Sequence, residues 1–429
     1  MGGNGPTKNH PDPLTADIYC VRQSTGRKRP KPRDEPNKTI SKKKRISIEN
    51  EAAHALLQLQ TSDVNQETIQ SENDVSMCDK TETKSASNIE VTSDHIEITS
   101  KHISCPSCKA SFELSDEEQK RVLRAQFIHT ILGNNSTCFH YTGIPKSKTL
   151  KDIFKWLEPC AKELKLWDGK NKLVPERNVR GRKRKITTLF EEMILTLVRI
   201  RRGYDNEHLA LLFGISTSHV SRICITWTNF LAKCFENLIK WPSKELVSGN
   251  LPDTFGAYPR TRVIIDCTEL KIQKPYRPFA QKMTWSNYKH ANTCKLLVGI
   301  MPSGAITFRS KVYNRNVSDV AIVDLSGFPN VIQAGDDVMA DRGFNIRHML
   351  LPKHATLNIP AFSHGRQLSA KAVSRSRKIA RVRIHVERAI ARMKTFKIIS
   401  GILPLRLRFQ LNQIITIIIV LCNLQGRLC

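Results

Sequence analysis

Three acids in the basic C-terminal half have the residue types and surroundings from which chemistry can be built: Asp266, Asp341 and Glu387. Asp266 closes the apolar run Val263-Ile264-Ile265, and Asp341 closes Val338-Met339-Ala340. Glu387 is the only acid between Lys371 and Phe409, a stretch that holds twelve Lys and Arg. Any one of them alone reads as a solvated strand end or an ion-pair partner. Two carboxylates at strand ends and one on a helix, all amid positive charge, suit a divalent-metal site that cuts a phosphate backbone. Such cleavage loads negative charge onto phosphorus, which two Mg²⁺ or Mn²⁺ ions roughly 3.5–4 Å apart can neutralise. Asp266 would bridge both ions, with Asp341 and Glu387 each holding one. The phosphate contacts expected around them are Lys289, Arg342, Lys378, Arg381, Arg388 and Arg392. Of the other nearby acids, Asp319 reads as a helix cap and Glu269, Asp336 and Asp337 as structural.

Strand and helix patterns must position these groups. Arg262–Ile265 and Leu270–Ile272 alternate like strands on either side of Asp266. Lys295–Ile300 and Ile306–Val312 form a hairpin across Pro302-Ser303-Gly304. Val338–Ala340 and Thr356–Ile359 add further strands. A long helix over Ser374–Thr395 turns Ile379, Val382, Val386, Ile390 and Met393 to one side, with Glu387 at the stripe's edge. Residues 255–429 therefore read as an α+β or α/β domain with a mixed sheet of about five strands.

A second constellation lies upstream, at 179–245. Leu189, Met193, Leu197 and Ile200 follow a helical period over Thr188–Arg201. A short helix from His208 to Phe213 follows Asp205-Asn206-Glu207, Gly214 allows a sharp turn, and Ser216 caps a third helix. That order is a helix-turn-helix, whose third helix turns its early polar residues to the major groove. Those residues are Thr217, Ser218, His219, Ser221 and Arg222. Ahead of it, Arg180-Gly181-Arg182 suits an A·T minor groove or an exposed linker.

The wording around the acids resembles the DDE superfamily endonucleases of the PIF/Harbinger type, which are transposases and their domesticated descendants. Ile264-Ile265-Asp266-Cys267-Thr268-Glu269, Thr284-Trp285-Ser286-Asn287-Tyr288-Lys289-His290, Asn316-Val317-Ser318-Asp319, Gly335 to Phe344 and Arg383 to Ile390 stand in that family's order. The likeness runs from about Tyr141 to Cys429. Tyr313-Asn314-Arg315-Asn316 departs from it, where the family tends to carry a glycine-containing turn. The resemblance implies an RNase H-like catalytic domain that cuts and joins DNA, often as a dimer or larger assembly. It also implies an N-terminal THAP finger whose Cys and His ligands this sequence lacks, so an accessory DNA-binding protein could supply the missing recognition.

Composition agrees with a nucleic-acid partner. The chain has 429 residues, a net charge of +29 and a pI of about 9.8. No apolar run approaches the ~18 residues of a membrane span, so no membrane partner is expected. Residues 1–100 are polar with few aromatics and read as a disordered tail. Arg27–Arg33 and Lys42–Arg45 within it read as nuclear-import signals, which points to the nucleus. Residues 101–178 read as a small helical module. In that module Cys105-Pro106-Ser107-Cys108 with Cys138 and His140 could supply four zinc ligands, or could be thiols in a turn. Two alternatives to a DNA endonuclease stand: a catalytically silent DNA-binding adaptor or transcriptional regulator, and a nuclease acting on RNA or damaged DNA.

Overall fold

The structure, a computed structural model, describes residues 115–167, 186–362 and 367–428, together with the backbone of His102–Ser104 and Ser111–Glu113. The expected tail, Cys105, Cys108, Arg180 and Arg182 lie outside those residues. Where an all-helical module was expected, an antiparallel strand pair comes first: β1 (His102–Ser104) and β2 (Ser111–Glu113).

Local sequence sets the helix ends. In α1 (Asp116–Gly133), Ser115 and Glu118 form a capping box, and the acids of the first turn oppose the positive end of the helix dipole. After α2 (Asn135–Thr142), α3 (Ser147–Ala161) ends soon after a proline. Pro159 in its last turn lacks an N–H and crowds the carbonyl four residues back. The helix-turn-helix consists of α4 (Leu189–Arg202), α5 (Asn206–Phe213) and α6 (Thr217–Glu236), capped by Thr188, Asp205 and Ser216. Gly214 takes φ +60°, and α5 and α6 meet at 101°, the angle such a motif requires. The short α7 (Lys244–Gly249) leads to the sheet.

The sheet has seven strands, two more than expected. In chain order come β3 (Thr261–Lys271), α8 (Pro278–Thr284), β4 (Trp285–Ser286), β5 (Ala291–Ile300), β6 (Ile306–Arg309) and β7 (Tyr313–Asn314). Then follow α9 (Asp319–Leu325), α10 (Phe328–Val331), β8 (Asp337–Met339), α11 (Arg347–Leu350) and β9 (Thr356–Asn358). The chain closes with α12 (Ala370–Lys394), α13 (Lys397–Ser400) and α14 (Leu411–Asn423). The strand order is β4-β5-β3-β8-β9, with β6 and β7 also paired to β5. β3 is central, antiparallel to β5 and parallel to β8. It runs unbroken through Asp266, where two shorter strands were expected.

Alternation along β3 assigns its two faces. Val263 and Ile265 pack with Val338 and Ala340 against Ile322, Phe328 and Leu350 of α9 to α11. Ile264 and Leu270 pack with Met339 against Ile379, Val382 and Val386 of α12 and the apolar run of α14. This second cluster continues without a break into α4, α5 and α6, so helix-turn-helix and sheet share one core. Among the described residues no single helix is long and apolar enough to cross a membrane. The apolar run of α14 is buried in this core.

Candidate active site and nucleic-acid interface

Register brings the first two acids together. The β3–β8 ladder ends with Ile264 of β3 opposite Met339 of parallel β8, and Asp266 and Asp341 each follow two residues later. Parallel neighbours stand about 4.8 Å apart. Both acids share the parity of Ile264 and Met339 and turn to the face that α12 covers. Ala340 N–H donates to the Asn358 carbonyl at 3.2 Å, which keeps the chain beside β9 up to Asp341. On α12, Glu387 flanks the buried stripe on the same side as Arg383. Arg383 joins the group: its guanidinium lies 3.2 Å from Asp341 and 3.7 Å from Glu387.

The electrostatics follow from this gathering. Asp266 is mostly buried, and burial pushes its carboxyl up to about 6; Asp341 and Glu387 add to the rise. Arg383 and the Cys267 N–H, which donates to Asp266 at 2.8 Å, pull the other way. A negative charge at Asp266 is thus undercompensated. Lys394, two turns beyond Glu387, is held below the usual lysine range by burial and by Lys289, while Asp266 and Glu269 oppose that. Lys394 and Lys289 therefore border the acids. Neither Arg383 nor Lys394 is among the sequence candidates, although Arg383 stands four residues before Glu387, the spacing of an ordinary helical ion pair.

The hard oxygen donors and the only partly compensated charge of Asp266 fit a Mg²⁺ or Mn²⁺ site in donor chemistry. Among the described residues, however, no three His, Cys, Asp or Glu side chains are close enough to hold one ion. The acids gather around a guanidinium instead of closing on a common point.

In the helix-turn-helix, Thr217, Ser218 and Arg222 are exposed at the start of α6, and His219 and Ser221 are half-buried beside them. Behind them the motif is clamped. Buried Arg124 of α1 donates to the Phe213 carbonyl at 2.9 Å, the Ile186 carbonyl at 2.7 Å and Glu191 at 3.0 Å. Fully buried Glu192 accepts from Trp227 at 2.8 Å and from Thr187 at 3.0 Å, tying α4 to α6.

Comparison with family models finds both units. Residues 265–423 match the DDE superfamily endonuclease, and residues 184–237 match the helix-turn-helix of DDE superfamily endonuclease. The chain carries a DDE endonuclease domain and its helix-turn-helix. Asp266, Asp341 and Glu387 all fall within the DDE domain's span. Searches of curated proteins and of solved structures each found no match.

The remaining sequence candidates divide around the DDE domain. Lys289 and Arg342 are exposed on the acid side, Arg342 directly after Asp341. Lys378 and Arg381 border a separate cleft of about 500 Å³ at the start of α12. At 3.6 residues per turn, Arg381, Arg388 and Arg392 lie roughly 100–140° round α12 from Glu387. Arg392 donates to the Gly426 carbonyl at 2.7 Å and Arg388 to the Leu428 carbonyl at 3.3 Å, so both are tied to the C-terminal segment. That corrects their grouping with the acids. Asp319 is not the cap of α9; Ser318 accepts from Ala321 N–H there, and Asp319 pairs with Lys295 at 2.8 Å. Glu269 is structural as expected, bound to Arg315 at 2.7 Å and Thr293 at 3.0 Å. The possible zinc set is also corrected. Cys138 is fully buried and His140 exposed, two residues apart on α2 and so about 200° apart around it. They cannot ligate one ion.

Proposed function

We propose that the protein is a metal-dependent DNA endonuclease of the transposase type. It binds DNA through α4–α6 and cuts phosphodiester bonds at Asp266, Asp341 and Glu387. One observation carries this reading: Asp266 and Asp341 each follow by two residues the last β3–β8 pair, and Arg383 beside Glu387 on α12 reaches Asp341 at 3.2 Å. The central β3, with antiparallel β5 on one side and parallel β8 on the other, supports an RNase H-like architecture.

Two divalent cations, when bound, would supply charge neutralisation at phosphorus and activate a water or a 3′-hydroxyl. Asp266, on the central strand and with a charge only partly compensated, would hold the cations together with the other two acids. Asp341 and Glu387 would exchange Arg383 for the cations. Lys289, Lys394 and Arg342 set positive charge where a DNA backbone passes the acids. In the major groove, Thr217, Ser218, His219, Ser221 and Arg222 read base edges. A homo-oligomer, an accessory DNA-binding protein and a nuclear location belong to the same proposal.

A second reading, a silent DNA-binding adaptor, is favoured by the guanidinium standing among the acids. A supercoiled-plasmid nicking assay with Mg²⁺ or Mn²⁺ separates the two. Metal-dependent nicking that disappears in Asp266→Asn supports the nuclease. DNA binding without nicking by the unaltered protein leaves the adaptor.

A further inference from the structure

One stretch on the sheet that carries Asp266 combines features that the acids do not account for. Tyr276 is 96 % exposed, Tyr288 77 %, Phe279 60 % and Trp285 49 %. Four large aromatic side chains thus face solvent within thirteen residues, where burial would be the favourable outcome. The same stretch is purely basic: residues 270–318 contain no Asp or Glu and nine Lys and Arg. Lys289 stands 4.5 Å from the centre of the Tyr288 ring, so cation and aromatic face are already paired.

These rings ride on a fixed backbone. Buried Asn292 of β5 donates to the Gln281 carbonyl at 3.1 Å and the Thr284 hydroxyl at 2.9 Å, which pins α8 to the sheet. Trp285 and Ser286 pair with Asn292 and Ala291 as an edge strand. Lys289 N–H donates to Ser286 at 3.3 Å and closes the turn that carries Tyr288. Binding there would order few additional groups. Register also ties the rings to the strand that bears Asp266: β4 pairs with β5 at Trp285 and Asn292, and β5 pairs with β3 at Val298 and Asp266, six residues along.

We propose that Trp285 and Tyr288, with Lys289 and its basic neighbours, form a stacking platform for unpaired bases of a DNA strand entering or leaving the acid site. Exposed aromatic faces set in a groove of positive charge bind single strands this way: rings stack on bases and cations track phosphates. A protein partner is the less favoured occupant, because a surface with no acid over 49 residues complements a polyanion before it complements an average protein surface. The proposal rests on the acids acting on DNA.

The test is fluorescence anisotropy with the full chain in EDTA. The probes are a blunt duplex, the same duplex with a single-stranded tail, and a single-stranded oligonucleotide. Wild type is expected to bind the tailed duplex more tightly than the blunt one. Trp285→Ala and Tyr288→Ala each weaken binding to the tailed and single-stranded probes by about tenfold or more, leave the blunt duplex within about twofold, and keep the melting temperature. Trp285→Phe restores most of the loss. Equal wild-type affinity for tailed and blunt DNA overturns the platform. So does an unchanged affinity in both alanine variants, the outcome a protein-docking surface gives. Absence of DNA binding by wild type altogether would instead sink the parent reading.

Discussion

Asp266→Asn should abolish cleavage and make the metal-free protein more stable. Burial and two neighbouring carboxylates hold Asp266 at about 6, against 3.8 for an unhindered aspartate. The folded state therefore binds that proton more tightly than the unfolded chain. Stability from this group is fully present below the unfolded value and is lost as pH rises through the folded one. Integrated between the two values, the ionised carboxylate costs the fold about 3 kcal/mol at pH 8 and about 1 kcal/mol at pH 4.5. Asparagine keeps an oxygen to accept the Cys267 N–H and never ionises, so it removes that cost. Urea denaturation of both proteins, without divalent ions, checks this. The expected gain is about 3 kcal/mol at pH 8, shrinking to about 1 kcal/mol at pH 4.5. Parallel stability curves across that range, or a variant weaker than wild type at pH 8, would refute the geometry of an undercompensated acid cluster.

Arg383→Gln removes the cation shared by Asp341 and Glu387. The exposure of those partners limits the loss in stability to about 1 kcal/mol, and the Asp266 pKa rises further. Mn²⁺ should then raise the variant's melting temperature more than wild type's, and equal shifts would show that Arg383 does not compete with metal. Arg124→Ala strands two backbone carbonyls and Glu191, at a cost of about 3 kcal/mol measured by chemical denaturation, with weakened DNA binding. Arg222→Ala on the exposed start of α6 should cost about 1–3 kcal/mol on a selected target and relax its sequence preference, read by competition binding. Wild-type affinity for DNA should fall linearly on a log–log plot against salt; a flat plot would mean that the lysines and arginines are not phosphate contacts.

Much of this was legible in the chain because local rules and register rules agree. Ser115, Thr188, Asp205 and Ser216 announce helix starts by chemistry that acts within three residues. Asp266 and Asp341 both close β-branched or apolar runs, and the parallel pairing of those runs sets the acids side by side. Tertiary geometry decided the rest. No local pattern shows that Arg383 would reach across to Asp341, 42 positions earlier. Arg388 and Arg392 looked like phosphate contacts because charge is visible in sequence, whereas the carbonyls of Gly426 and Leu428 that hold them are not. Cys138 and His140 looked like ligands by type, and only their helix separates them. The seven-stranded count was missed because β4 and β7 are two residues each, too short to show alternation.

The shared core has a mechanical consequence for recognition and cutting. Trp227, Leu231 and Phe235 from the later turns of α6 are buried in the same cluster as Ile415, Ile418 and Cys422 of α14, which packs beside α12. Arg201, at the end of α4, lies between the rings of Phe139 and Phe396 at 4.9 and 4.8 Å and donates to Thr395 just past α12. The third helix of the helix-turn-helix and the helix that carries Glu387 are thus joined through buried apolar contacts and a half-buried cation, not through a flexible linker. On the proposed function, DNA held by the first turn of α6 would meet the acid cluster at a spacing set by packing. The proposed nuclease would then cut at a fixed offset from the recognised sequence, and softening that core with Ile418→Ala should blur the offset before it abolishes binding.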